Sequence, residues 1–327
     1  MEAKYKRTFD LRLGTPDSRL RTFLIRIMQY FLFFILIFNI SILTGFAQAN
    51  RVRPAAPDAN AASNSGETEP ASAEKMFQEA EAYAKNKIAE FQTKKIPYSD
   101  ELYRQTLIEQ KQLAARYAAI LARRQNLSGD DIFFRGMLHW VAENRDGAEE
   151  NLKKFLALET VVPEKAQTAR HVASVIAARR KNFDEAESFL GAYLKNEPVK
   201  LRERHKMETE LALSYRAEKN YEKSAAHAAE AYRAAKAMFR ETASRVRALA
   251  DLHDAGVAVF EIHRESGNQK PTEDSLEDLR RTAALVESTG IYYFAVDQQI
   301  KYLIETNRKA EALEFYKNAF KQVEKDF

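Results

Sequence analysis

The chain has 327 residues, of which 45% are apolar, 30% are charged and none is cysteine. The lack of cysteine excludes a disulfide framework, a thiolate zinc site and a cysteine nucleophile. With only 10 glycines and 8 prolines, the composition favours long helices over a many-stranded fold, which needs frequent turns.

The formal net charge of +4 belongs to the first 49 residues, which carry seven basic and three acidic side chains. The rest of the chain carries 44 side chains of each sign. Nucleic-acid affinity rests largely on accumulated positive charge, and this body has no basic surplus. We therefore expect no nucleic-acid partner.

Residues 27–46 form an uncharged apolar segment that follows all the basic residues of the leader. This order is typical of an export signal, so the body is expected outside the cytoplasm. Ala47-Gln48-Ala49 is a small-x-small cleavage site, which predicts a signal peptide over residues 1–49. An uncleaved anchor stays open, because a segment of this length can cross a bilayer core of about 30 Å. The body is then either periplasmic or membrane-anchored.

Residues 50–73 are predicted to be a flexible linker rich in Ala, Pro, Asn and Ser, which buries too little apolar surface to offset its chain entropy. From residue 74 onward the apolar residues recur with a helical period. Ser128 and Asp131 predict a capping box at one helix start. No run of alternating strand residues occurs, so residues 74–327 are predicted to be all-α.

One polar turn that runs into a helix recurs four times in the body, at segments beginning with Asp146, Lys181, Lys219 and Asn307. The first three starts are 35 and 38 residues apart, from 146 to 181 to 219. This spacing is close to the period of about 34 residues expected of helix-turn-helix repeats.

The pattern resembles the tetratricopeptide repeat. The resemblance implies that a small residue in each second helix packs against the first helix, a role that falls to Ala186, Ser224 and Ala312. A small side chain lets two helices approach closely. Asn151 departs from the pattern, since it stands where Ala is usual.

The segments 74–125 and 243–289 do not match the repeat pattern. The fold implied by the resemblance is a right-handed superhelical solenoid of antiparallel helix pairs. One N-terminal hydrophobic helix and a disordered linker are expected to precede it.

No motif for catalysis or cofactor binding is present in the sequence. The segments 205–208 and 227–230 each place a carboxylate three residues after a histidine, but neither has a second histidine nearby. We interpret both as solvated helix faces, not metal half-sites. We expect no metal, no cofactor and no enzyme activity. A weaker alternative, a glycan-cleaving helical enzyme, needs a paired acid and base, for which Glu143 and Asp297 are the residues to substitute.

Trp140 lies, by the resemblance, on the concave surface of its repeat. The same reasoning assigns seven further residues to this groove: Glu143, His171, Arg179, Thr209, Arg216, Asp297 and Lys301. An ordinary solvated helix face is the alternative for each of these eight binding candidates. The Lys and Asn clamp with which some family members grip a C-terminal carboxylate is absent, since the matching positions hold Gly136, Trp140, His171 and Val175. The aromatic cluster 291–294 is predicted to pack between helices.

The function implied by the resemblance is a non-catalytic exported scaffold that binds a peptide or protein partner in the concave groove. It contacts the membrane through its N-terminal segment if that segment is uncleaved.

An alternative function follows from the order of leader, linker and repeats. This order, ending in the segment 302–313, resembles the N-terminal region of bacterial exported proteins that carry a thioredoxin-like redoxin domain after such repeats. The chain is then the helical accessory region of an exported thiol-disulfide oxidoreductase whose catalytic domain is missing. Reading the DNA beyond the Phe327 codon for a Trp-Cys-x-x-Cys segment distinguishes the two.

Overall fold

Twelve α-helices and no strand occur in the computed structural model, which describes residues 71–241 and 245–326. The helices are α1 Ala73–Thr93, α2 Asp100–Ala122, α3 Gly129–Val141, α4 Arg145–Leu156, α5 Pro163–Arg179, α6 Phe183–Leu194, α7 Leu201–Ala217, α8 Tyr221–Glu241, α9 Arg245–Glu265, α10 Gln269–Leu285, α11 Thr289–Glu305 and α12 Lys309–Asp326. The predicted all-α class is confirmed for these residues.

The start of the body agrees with the predicted linker boundary to within one residue. Ala73, which the sequence assigns to the linker, is buried and begins α1, and the Ser72 hydroxyl caps that helix. The predicted hydrophobic helix, the leader and residues 50–70 of the linker lie outside the described residues. No helix among the residues that are described is long and apolar enough to span a membrane.

Consecutive helices pack in adjacent pairs: α1 with α2, α3 with α4, α5 with α6, α7 with α8, α9 with α10, and α11 with α12. The predicted capping box at Ser128 and Asp131 is confirmed, because each side chain bonds to the backbone N–H of the other. It opens α3 and thereby the second pair.

One left-handed turn ends the first helix of every pair. The residue with positive φ is Lys95, Glu143, Lys181, Lys219, Gly267 or Asn307. In each turn, the amide of the following residue donates to the carbonyl five residues earlier. This Schellman closure satisfies carbonyls that a helix end leaves unpaired. The pair α9–α10, which did not match the sequence pattern, therefore contains the same turn as its neighbours.

The turns correct the predicted register of one repeat. The segments at Lys181, Lys219 and Asn307 begin on the left-handed residue, but the segment predicted at Asp146 begins at Glu143. Three successive turns are therefore 38 residues apart, from 143 to 181 to 219. The predicted spacing of 35 residues is wrong, and Asn151 is not a departure from the pattern, because Ala148 takes the small-residue position.

The small residue five positions after each left-handed residue is buried in the last five pairs: Ala148, Ala186, Ser224, Thr272 and Ala312. These positions face the first helix of the pair. The Ser174 hydroxyl donates to the Ala186 carbonyl at 2.9 Å, and the Ser224 hydroxyl donates to the Ala212 carbonyl at 2.8 Å. A close approach of the two helices is thus fixed by a side chain to backbone hydrogen bond as well as by size.

Three apolar clusters form the core. The first joins α1 to α5 and includes Leu138 and Phe155, the second joins α5 to α7 around Tyr193 and Leu211, and the third runs from α7 to α12. Beyond the hairpin contacts, α3 packs on α1, α5 packs on α3, and α7 packs on α5. The odd-numbered helices of the first four pairs therefore meet each other directly.

Candidate binding surface

Trp140, on α3, lies between two of the apolar clusters and contacts both. Its half-buried ring lies 5.9 Å from the guanidinium carbon of Arg179, at the end of α5. Arg179 in turn donates to both carboxylate oxygens of Glu210 on α7, with 2.9 Å from Nε to Oε2. These hydrogen bonds raise the pKa of Arg179 against the opposing effect of burial. Trp140, Arg179 and Glu210 thus form a continuous line of contacts across α3, α5 and α7.

Arg216, near the end of α7, makes a separate set of contacts with α9. Its Nη2 lies 2.8 Å from Glu261 Oε2, and its Nε lies 2.9 Å from Glu265 Oε2. The hydrogen bonds to Glu265 raise the pKa of Arg216 well above its usual range, although burial acts in the opposite direction. A guanidinium held by two carboxylates is a stronger and more directional contact than a single surface ion pair. We call Trp140, Arg179, Glu210, Arg216, Glu261 and Glu265 the odd-helix surface.

Glu143 lies in the α3–α4 turn, not on a helix face. It is the left-handed residue of that turn, it is exposed, and its carboxylate lies 2.8 Å from Lys111 Nζ on α2. Its charge contributes to the raised pKa of Arg179, so it is near the odd-helix surface.

His171 and Thr209 are half-buried, on α5 and α7. The Nε2 atom of His171 is buried and has no hydrogen-bond partner. Burial lowers the pKa of His171 to about 4. The Thr209 hydroxyl donates to the His205 carbonyl at 2.8 Å, within its own helix.

The fold does not place Asp297 and Lys301 beside the other residues predicted to line the groove. They form a 2.7 Å ion pair with each other along α11, and both side chains are more than half exposed. In the aromatic cluster predicted to pack between helices, Ile291 and Tyr292 are buried, whereas Tyr293 is 41% exposed. Phe294 packs against the third cluster, with its ring 4.8 Å from that of His253 on α9, so the prediction is confirmed for three of the four residues.

The sequence missed a polar network between α6, α7 and α8. Glu208 is only 2% exposed, and its Oε2 lies 2.7 Å from Nδ1 of His227, while the other ring nitrogen lies 3.7 Å from Glu187 Oε1. Glu187 also accepts from Lys223 Nζ at 2.8 Å and from the Tyr215 hydroxyl. The interpretation of the segment 205–208 as a solvated face is therefore wrong for Glu208. We call Glu187, Glu208, Tyr215, Lys223 and His227 the buried network.

The rings of the buried network are stacked. The Phe183 ring lies 4.0 Å from the Tyr215 ring, which lies 5.7 Å from the His227 ring, and both pairs are nearly parallel. Burial acts to raise the pKa of Glu187, but hydrogen bonds from Lys223 and Tyr215 outweigh it, and the net pKa is below the usual range. Glu187 is therefore an ionised carboxylate that holds side chains from two other helices.

An open groove of about 800 Å³ lies among α10, α11 and α12. Its walls include Leu285, Phe315 and Ala319, and its most buried cation is Arg280, whose Nη1 lies 3.3 Å from the Tyr292 hydroxyl. In the described part of the chain, no three His, Asp or Glu side chains are placed to hold a metal ion.

Comparisons with known proteins give a distant structural similarity only. No family model matches the chain, and no curated protein matches it. Among solved structures, the crystal structure of BtubC (BKLC) from P. vanneervenii is similar with 14% sequence identity and a TM-score of 0.39, covering 66% of this chain and 93% of the other. The all-helix arrangement of packed helix pairs rests on the described residues themselves.

Proposed function

We propose that this protein is a non-catalytic, exported scaffold that binds a peptide or protein partner. Its helix pairs form a right-handed solenoid of the tetratricopeptide type, and the partner lies in the concave groove made by the odd-numbered helices. The body lies outside the cytoplasm, either in the periplasm or held at the membrane by residues 27–46.

The observation that carries the proposal is the direct packing of α3, α5 and α7, crossed by the odd-helix surface. Stacked helix pairs of this kind present extended surfaces that suit proteins and peptides. Leu213 adds an apolar anchor, since it is 45% exposed and lies on α7 four residues after Thr209 and three before Arg216. Residues at these spacings share one helix face.

Affinity capture from a detergent extract of membranes, with the full chain as bait, tests the proposal. We expect Leu213→Asp to lower capture of the partner by about tenfold or more, because loss of one buried apolar anchor typically costs more than 1.4 kcal/mol. Benzoylphenylalanine at position 213 should cross-link to the same partner.

Leu194→Asp is the matched control, since Leu194 is 41% exposed but lies on α6, an even-numbered helix. It should leave capture unchanged. Equal capture by the Leu213→Asp variant and the unmodified chain would overturn the groove as the binding site.

A further inference from the structure

His171 is half-buried beside the contact between α5 and α7, and its surroundings favour the neutral ring over the charged one. Its Nε2 has no hydrogen-bond partner and is shielded from water. A charged imidazolium carries an N–H on both ring nitrogens, and each needs an acceptor or water. Leaving such a donor buried and unpaired costs far more for the charged ring than for the neutral one.

The two carboxylates whose charge favours the protonated ring, Glu203 and Glu210, already have other hydrogen-bond partners. Glu203 accepts from the Tyr193 hydroxyl at 3.0 Å and pairs with Lys200 Nζ at 3.2 Å. Glu210 is held by Arg179. An imidazolium at position 171 therefore competes with these contacts for an acceptor or draws water between the helices.

The charges around His171 act on its pKa in both directions. Glu203 and Glu210 favour its protonated form, whereas Lys200 and Lys206 oppose it. All four lie on α7 or directly before it, and Tyr193 of α6 bonds to one of them, Glu203. The helices α3 and α4 meet α5 through the first apolar cluster, in which α5 contributes Ala169, Val172 and Ile176. Burial is therefore the effect that decides the charge of the ring.

We propose that the contact between α5 and α7 is an acid-sensitive joint, which opens when His171 takes up a proton. The inference goes beyond the proposed function, because it needs no partner and no particular compartment. Its consequence is a change in the packing of the third helix pair on the fourth.

The direction of the pH effect follows from linkage. The pKa of His171 is lowered to about 4, whereas an exposed histidine has a pKa of about 6.5. Between these two values the open form binds a proton that the closed form does not, so falling pH favours opening. At pH 4 the open population should rise on the order of a hundredfold relative to pH 7.

Hydrogen exchange of the full chain at pH 7 and pH 4, corrected for the intrinsic rates, tests the proposal. We expect protection of the segments 163–179 and 201–217 to fall by at least about tenfold at pH 4, while the segment 269–285 changes less. In His171→Gln, which cannot titrate, these segments should keep their protection. The control variant His253→Gln, which changes a histidine on α9, should lose protection at pH 4 to the same extent as the unmodified chain.

Three results would overturn the joint: retained protection of α5 and α7 at pH 4, an equal loss in His171→Gln, or an equal loss in all helices. If His171→Gln does not fold, ring titration of the unmodified chain by histidine NMR decides. A His171 midpoint near pH 4 supports the joint, and a midpoint near the usual 6.5 overturns it.

Discussion

The three helix pairs from α3 to α8 form a first region, and the two pairs from α9 to α12 form a second. Both regions contain the same left-handed turn, but their pairs pack on one another differently. In the first region the turns are 38 residues apart and each odd-numbered helix lies directly on the next. In the second region the turns at Gly267 and Asn307 follow at wider spacings, and α9 packs mainly on α8 and α10. The turn alone therefore sets the hairpin, whereas helix length and side-chain size set how one hairpin meets the next.

The contrast in helix length supports this view. Among the second helices, α4 and α6 have 12 residues each, whereas α8, at the border of the two regions, has 21 and α10 has 17. Longer helices bury their apolar faces against both chain neighbours, which accounts for a single cluster from α7 to α12. The regular region instead divides its core between two clusters that meet at Trp140.

The largest expected effect comes from removing a buried leucine in each region. Leu211→Ala, in the second cluster, and Leu276→Ala, on α10, should each cost about 2–5 kcal/mol of unfolding free energy, since both side chains are fully buried. Urea unfolding followed by circular dichroism measures this. If the two regions unfold as one unit, both variants shift a single transition. Two transitions, each moved by one variant only, would show that the regions are independently stable.

The next effect concerns the buried network of the first region. His227→Leu leaves the buried Glu208 carboxylate without its nearest hydrogen-bond partner, and an unsatisfied buried polar group typically costs about 1–3 kcal/mol, more when it is charged. We expect a cost near the lower end, because the His227 side chain is 16% exposed. The double variant with Glu208→Leu should recover part of the loss. No recovery would mean that His227 stabilises the fold by its ring stacking and not by its hydrogen bond with Glu208.

The network also shows where sequence reasoning stopped. Within its own helix each of the two residues has another neighbour three positions away, His205 for Glu208 and Glu230 for His227, and the spacing gives no reason to pair Glu208 with His227. Their contact depends on the turn at Lys219, which folds α8 back along α7 and brings together residues 19 positions apart. Once that turn is placed, the pairing of the two positions follows from helix geometry, so the missing information was the register and not the chemistry.

The register itself had a signal that was available. Asn follows the left-handed residue at Asn144, Asn182, Asn220 and Asn268, and it caps the next helix through its side chain at Asn144 and Asn220. Two of these four asparagines, Asn182 and Asn220, lie in the segments from which the repeat was predicted. In contrast, the line from Trp140 through Arg179 to Glu210 needs the angle between successive pairs, which depends on side-chain packing across helices and is not encoded in spacing along the chain.

Alanine substitutions at two glycines test how closely the helices pack, and their effects on stability are expected to be the third largest. A Cβ added at Gly256 in α9 would lie 2.6 Å from Leu279 Cδ1 and 3.2 Å from Tyr232 Cε2, so Gly256→Ala should destabilise by about 1–3 kcal/mol despite its better helix propensity. Gly191, in α6, has nothing within 4 Å of the added atom. Gly191→Ala should stabilise by about 0.5–1 kcal/mol. Thermal unfolding distinguishes the signs, and a stabilising Gly256→Ala would mean that the Leu279 side chain moves aside.

The smallest effect addresses the turn that the two regions share. Lys219 has a φ of 59°, where a side chain is strained, while Gly267 occupies the equivalent position of α9–α10 with a φ of 73°. Lys219→Gly should therefore raise the unfolding free energy by up to about 1 kcal/mol, and Gly267→Lys should lower it by a similar amount. Urea unfolding of both variants measures the pair. Opposite shifts of similar size mean that the turn carries the same strain in both regions, whereas a neutral Gly267→Lys would mean that the second region relieves it by moving the α9–α10 hairpin.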